Sequence, residues 1–162
     1  RSTMPGTLCE VVTQVNRLLC QDVEDSGNFM TLFSLEINPS DHKISWVRAG
    51  HDPALLFDPD TNGFTELKGR GVALGLDESM VYELNHLSGM KMGQIIVLYT
   101  DGIWEAQDDQ GRQFGKDRLK QLIVDHQTKP AKKILNEVMA ASSRFQDKGV
   151  PQDDVTLIIV KF

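Results

Sequence analysis

The pattern of apolar and polar positions divides the chain into segments of two periods. Leu8, Val11, Val12, Val15, Leu18 and Leu19 recur at helical spacing, which predicts a helix over Pro5–Asp22 with Pro5 in its first turn. Ser26-Gly27 breaks it, and the period then falls to two. Phe29, Thr31, Phe33, Leu35 and Ile37 share one face of a strand. The turn residues Asn38-Pro39-Ser40-Asp41 predict a hairpin return over Lys43–Ala49. Ala54–Phe57 is a third strand, turned back by Asp60-Thr61-Asn62-Gly63, and Val81–Leu87 is a further strand candidate. Gly69, Gly71 and Gly75 mark an irregular stretch between them. Gln94–Thr100 and Val155–Val160 are apolar at successive positions, which predicts covered strands with Leu98, Leu157 and Ile159 nearly fully buried. Helices are predicted over Lys116–His126 and Pro130–Phe145, the second with Ala131, Ile134, Leu135, Val138, Ser142 and Phe145 facing inward. A helix, a run of strands, two helices and a last strand give an α+β fold with mainly antiparallel sheet.

Composition narrows the class. The 162 residues suit a single domain, and 40% apolar with 25% charged residues is ordinary for a globular chain. A net charge of −6 argues against a nucleic-acid surface, and no apolar run approaches the roughly 20 residues that cross a bilayer. The start, Arg1-Ser2-Thr3-Met4, has neither a signal architecture nor an initiating methionine, which predicts a piece of a longer chain. Cys9 and Cys20 fall about 16 Å apart along one helix, too far for a disulfide, so they read as buried thiols of a cytoplasmic protein.

Candidate chemistry lies at strand ends. Asp101-Gly102 follows the strand that ends at Thr100, and Asp153-Asp154 precedes the strand that begins at Val155. If these strands pair antiparallel, the end of one lies beside the start of the other, and Asp101 and Asp153 reach one sheet edge. His51, after the strand ending at Ala49-Gly50, can reach that edge too. Hard oxygen ligands of this kind suit Mg2+ or Mn2+ and the activation of water for attack on phosphorus. The plainer reading is that Asp-Gly is a turn and Asp-Asp a solvated loop.

Seven segments occur in order: Phe29-Met30-Thr31-Leu32, Ala49–Leu56, Gly71–Gly75, Leu98–Gly102, Glu105-Ala106, Phe114–Leu119 and Asp153–Leu157. Together they resemble the metal-dependent protein phosphatases (PPM, or type 2C), in the branch of bacterial stress-response and sporulation serine phosphatases. The resemblance runs from about Leu8 to Phe162. It implies a sandwich of two mainly antiparallel sheets flanked by helices, with a pair of Mn2+ or Mg2+ ions at one end. It implies hydrolysis of phosphoserine or phosphothreonine on a partner protein of the anti-sigma-factor-antagonist type, with a sensor or receiver domain upstream in the same polypeptide. Asp101 and Asp153 map to metal ligands, and His51, Gly102 and Asp154 to neighbouring or substrate-side positions. His51 is weighed towards a supporting hydrogen bond over a catalytic acid.

Two upstream acidic motifs of the family, a Gly-Asp and an Asp-x-Ser-Gly-His-Gly, have no counterpart in residues 1–162. The single domain is therefore read as lacking its N-terminal strands. Its isolated form is expected to be inactive, and a phosphatase-fold binding module without turnover is the competing reading. His42, His86 and His126 read as structural, Trp46 and Trp104 as core or rim aromatics, and Arg118 as a helix-surface charge. The oligomeric state stays open, a homodimer included.

Overall fold

The computed structural model describes residues 6–23, 27–146 and 154–162. Among these residues two antiparallel sheets and four helices form an α+β architecture, as expected. The described residues within 1–53 and 68–90 form one compact unit and those within 54–67 and 91–162 the other, so that the chain passes between the units three times.

The first unit carries α1 (Leu8–Val23), β1 (Leu32–Asn38), β2 (Lys43–Ala49) and β5 (Asn85–Ser88) in a sheet of order β1-β2-β5. The hairpin pairs Asn38 with Lys43 through Leu32 with Ala49. Its turn is closed by the Asn38 side chain, whose Oδ1 accepts the Ser40 and Asp41 amides. The predicted strand over Val81–Leu87 is shorter and later, because Val81 to Leu84 are not in the ladder and pairing starts at Asn85 opposite Trp46. The core of this unit joins Val12, Val47, Ala49, Leu74 and Tyr82.

The inward face of α1 departs from its apolar stripe. Its buried residues are Val12, Thr13 and Asn16, while Leu18 is 45% exposed. Both polar residues are bonded across to the 71–82 segment. Asn16 Nδ2 donates to the Asp77 carbonyl at 2.8 Å, and Asn16 Oδ1 accepts the Gly75 amide at 3.0 Å. The Thr13 hydroxyl accepts the Tyr82 amide at 3.2 Å. Satisfied in this way, buried polar groups escape the penalty that would otherwise exclude them. Cys9 and Cys20 are free but only partly buried, short of the full burial expected.

The second unit carries β3 (Ala54–Asp58), β4 (Gly63–Leu67), β6 (Ile95–Tyr99), the short α2 (Asp101–Trp104), α3 (Lys116–His126), α4 (Ala131–Phe145) and β7 (Leu157–Lys161). The strand order is β4-β3-β6-β7. Leu55, Phe57, Ile95, Val97, Tyr99, Leu119, Ile123, Ile134 and Val138 belong to one buried core. β6 is central and covered, as its sequence predicts, although Leu98 is only partly buried.

β7 corrects the expectation drawn from its composition. It is the last strand of its sheet among the described residues, Leu157 and Ile159 are partly buried, and Ile158 is 49% exposed. An unbroken apolar run reports that a strand can be covered on both faces; which strand becomes the edge is settled by pairing. No helix among the described residues is long and apolar enough to cross a membrane.

Candidate functional site at the end of the central strand

β6 and β7 pair antiparallel, with Ile95 opposite Lys161 and Tyr99 opposite Leu157. The end of β6 therefore lies beside the start of β7. One residue beyond the ladder, Thr100 joins the two strands through both backbone and side chain. Its amide donates to the Thr156 carbonyl at 3.1 Å, its hydroxyl donates to the Asp154 carbonyl at 3.0 Å, and the Thr156 amide donates to that hydroxyl at 2.9 Å. A β-branched residue held by three such bonds has little rotational freedom.

Asp101 follows directly and opens α2. Its carboxylate is exposed and accepts the amide of Gly102 at 3.0 Å. Gly102 is buried, and a Cβ there would stand 2.7 Å from the Asp154 carbonyl oxygen, so only glycine allows this approach. Thr100, Asp101, Gly102 and Asp154 are thus gathered at one edge of the sheet. Asp153, the second metal ligand expected from the sequence, lies outside the described residues.

Residues of α2 and α3 meet next to this turn in sequence and space. Ile103 is fully buried, and the Lys116 ammonium sits 4.7 Å from the centre of the Trp104 ring and 5.6 Å from that of Tyr99. The sequence reading missed α2, a single turn with no apolar period of its own. The signal that could have found it is Asp101 behind an extended Thr100, an acidic residue in a first turn.

His51 belongs to the first unit. Its ring Nδ1 lies 3.1 Å from the Thr31 hydroxyl. Its carbonyl accepts Arg48 Nε, while Arg48 Nη1 donates to the Gly69 carbonyl at 3.0 Å. Gly50 just before it has φ 66°, and a Cβ there would meet the Ala73 amide nitrogen at 2.7 Å. The Gly50 amide donates to the Gly71 carbonyl at 3.0 Å. The glycine-rich stretch therefore serves close backbone packing around the His51 turn. Arg48 was not singled out in the sequence, where it reads as one more polar residue of a strand.

The donors at the Asp101 edge are hard oxygens, which suit Mg2+ or Mn2+ over softer metals. Among the described residues no group of three or more His, Cys, Asp or Glu side chains forms a metal cage. The described edge thus carries the donor type that suits a divalent ion, in the one exposed carboxylate of Asp101.

Comparison with known proteins agrees with this architecture. The family described as Stage II sporulation protein E (SpoIIE) matches residues 4–162. Phosphoserine phosphatase RsbU of Bacillus subtilis (strain 168) is 29% identical over 154 residues, covering 94% of this chain and 44% of its own length. The chain spans less than half the length of the curated relatives it matches. Among solved structures, the SiaA-PP2C domain of Pseudomonas aeruginosa superimposes with a TM-score of 0.81 at 18% identity, over 95% of this chain and 60% of that one. The RsbU and RsbW domains of a Mycobacterium tuberculosis protein give 0.77 at 21% identity, over 97% and 42%. Two antiparallel sheets with their helices, the ordered motifs and a match over nearly the whole length lead to one assignment: the chain belongs to the stage II sporulation protein E family and has the fold of PP2C phosphatase domains.

Proposed function

We propose that this domain hydrolyses phosphoserine or phosphothreonine on a partner protein, as part of a bacterial signalling regulator and with Mn2+ or Mg2+ as cofactor. The observation that carries the reading is the exposed Asp101 carboxylate at the end of a buried central strand, clamped through Thr100 to the start of β7. The family membership and a relative named as a phosphoserine phosphatase support it.

Asp101 would hold the metal together with Asp153. A divalent ion bound there supplies positive charge for the phosphoryl oxygens and lowers the pKa of a water molecule. The chain's own task is placement. Thr100 and the close Gly102–Asp154 approach hold Asp101 at the edge, so that little reorganisation accompanies the reaction. His51, with Nδ1 engaged by Thr31, is suited to a supporting hydrogen bond more than to proton transfer. The partner is proposed to be a phosphorylated anti-sigma-factor antagonist, the substrate type that the resemblance implies, and the setting the cytoplasm.

The test is manganese-dependent phosphate release from a phosphoserine-bearing antagonist protein by the intact protein. Asp101→Ala should lower the rate about a thousandfold, the equivalent of several kcal/mol of transition-state stabilisation. An Asp101→Ala protein as fast as the parent would sink the assignment of that ligand. An intact protein without activity on its native partner would favour the binding-module reading.

A further inference from the structure

Arg118 does not behave as the free surface charge that its sequence position suggests. Its Nη1 donates to the carbonyls of Gln113 and Phe114, both at 2.8 Å, and its guanidinium stacks 4.6 Å from the centre of the Phe145 ring. Phe145 in turn meets Phe114 edge-on, with ring centres 5.5 Å apart. These contacts form one wall of an open groove of about 450 Å³ between α3 and α4.

The lining follows from helical spacing. Arg118, Gln121, Leu122 and Asp125 lie on one stripe of α3 at i, i+3, i+4 and i+7, and Ala141, Arg144 and Phe145 lie on one stripe of α4. On the α4 side the lining includes Ala141, whose methyl takes up little of the space. The groove's floor is apolar (Phe114, Leu122, Ala141, Phe145), and its rim carries two arginines against one aspartate. The aspartate is already engaged, since Asp125 Oδ1 accepts Gln121 Nε2 at 2.7 Å. On a chain of net charge −6, this is a local reversal of sign.

We propose that this groove docks an acidic segment of a partner protein through one bulky apolar side chain. The volume lies within the roughly 300–1,000 Å³ of ligand pockets and suits one aromatic or large aliphatic anchor. Charge complementarity selects the flanks: carboxylates beside the anchor meet Arg118 and Arg144. Arg118 is already immobilised by two carbonyls and a ring, so its ordering cost on binding is small. Arginine and aromatic side chains are also the types that dominate docking energies. The proposal stands apart from the chemistry at Asp101, because docking needs neither metal nor turnover.

The experiment is fluorescence anisotropy of the intact protein with a short fluorescein-labelled peptide bearing a single phenylalanine between glutamates. Saturable binding is expected, weakening as salt rises. Ala141→Phe fills the groove without altering charge, and Arg144→Glu reverses the rim at an exposed position. Each should weaken binding about tenfold or more, with unchanged circular dichroism as the folding control. Replacing the peptide's phenylalanine by serine, or its glutamates by lysines, should do the same. Absence of saturable binding, indifference to Arg144→Glu, or equal binding of the lysine peptide would overturn the proposal. So would full displacement of the peptide by decanoate at comparable concentration, which would make the groove a site for small amphiphiles.

Discussion

In the unit built around β6, the helices are held chiefly by apolar side chains, with Ser142 the buried polar residue of α4. Leu119 and Ile123 of α3, and Ile134 and Val138 of α4, share one fully buried core with Leu55, Phe57, Ile95 and Val97. In the unit built around β2, α1 contributes one such residue, Val12, and beside it buries Thr13 and Asn16. Apolar burial is strong but has no direction, so it fixes that two layers meet and leaves sliding to packing detail. Hydrogen bonds are weaker in net terms but demand a register. Asn16 bonded to both Gly75 and Asp77 sets the 71–82 segment to within a fraction of a residue. The same segment supplies Gly71 and Ala73, which pack on the turn carrying His51. One unit carries Asp101 at the end of an apolar core; in the other, polar bonds from a helix fix the register of the 71–82 segment.

The largest expected effect tests the apolar core. Phe57→Ala should cost about 3–5 kcal/mol, read as a lower midpoint in urea, because a fully buried ring is replaced by a cavity. Asn16→Leu keeps the volume but strands the Gly75 amide and the Asp77 carbonyl, and should cost about 1–3 kcal/mol. The contrast between the units would fail if Asn16→Leu proved as costly as Phe57→Ala, or cost nothing.

Central and edge strands sharpen the comparison within one sheet. Val97→Thr buries an unpartnered hydroxyl in β6 and should cost about 1–3 kcal/mol, whereas Ile158→Thr on β7 should stay within about 0.5 kcal/mol. Equal costs would mean that β7 is covered in solution.

The smallest effect concerns the α3–α4 connection. The hydrogen bond from Lys129, at 3.0 Å, and its charge hold the Glu137 carboxyl below its ordinary value of 4.5, with smaller help from His126 and Arg144. A depressed folded-state pKa stabilises above the unfolded pKa, and that stability is lost as pH falls through the folded value. Lys129→Met should therefore be slightly less stable than the parent near neutrality, with the difference fading below about pH 4. Thermal melts of both proteins across that range give the measurement, and a difference that grew with acid would reverse the sign of this account.

Legibility in the sequence followed the strength of the local signal. The predicted bounds of α3 coincide with those observed, and α4 begins one residue after the predicted Pro130, because long apolar stripes with clear ends need no tertiary information. The strand that Asp101 follows was legible for the same reason: five successive apolar residues from Ile95 to Tyr99 have few other homes. The short α2 and the late start of β5 were not, since a four-residue element carries too little period to read. The groove between α3 and α4 was hidden as well. Arg118 looks like any helix charge until Phe145, 27 positions later, is folded against it.

By itself the sequence determined the α+β class, the order of the longer elements and the acidic residue that follows the central strand. Periodicity and turn chemistry act between neighbours, so they survive without the fold. Only the tertiary structure decided that β7 is an edge, that α1 turns Thr13 and Asn16 inward in place of Leu18, and that Thr100 locks Asp101 to the strand beside it. Those outcomes depend on which distant segment supplies the hydrogen-bond partner or takes the next place in the sheet. A partner 54 to 61 residues away leaves no trace in the local pattern.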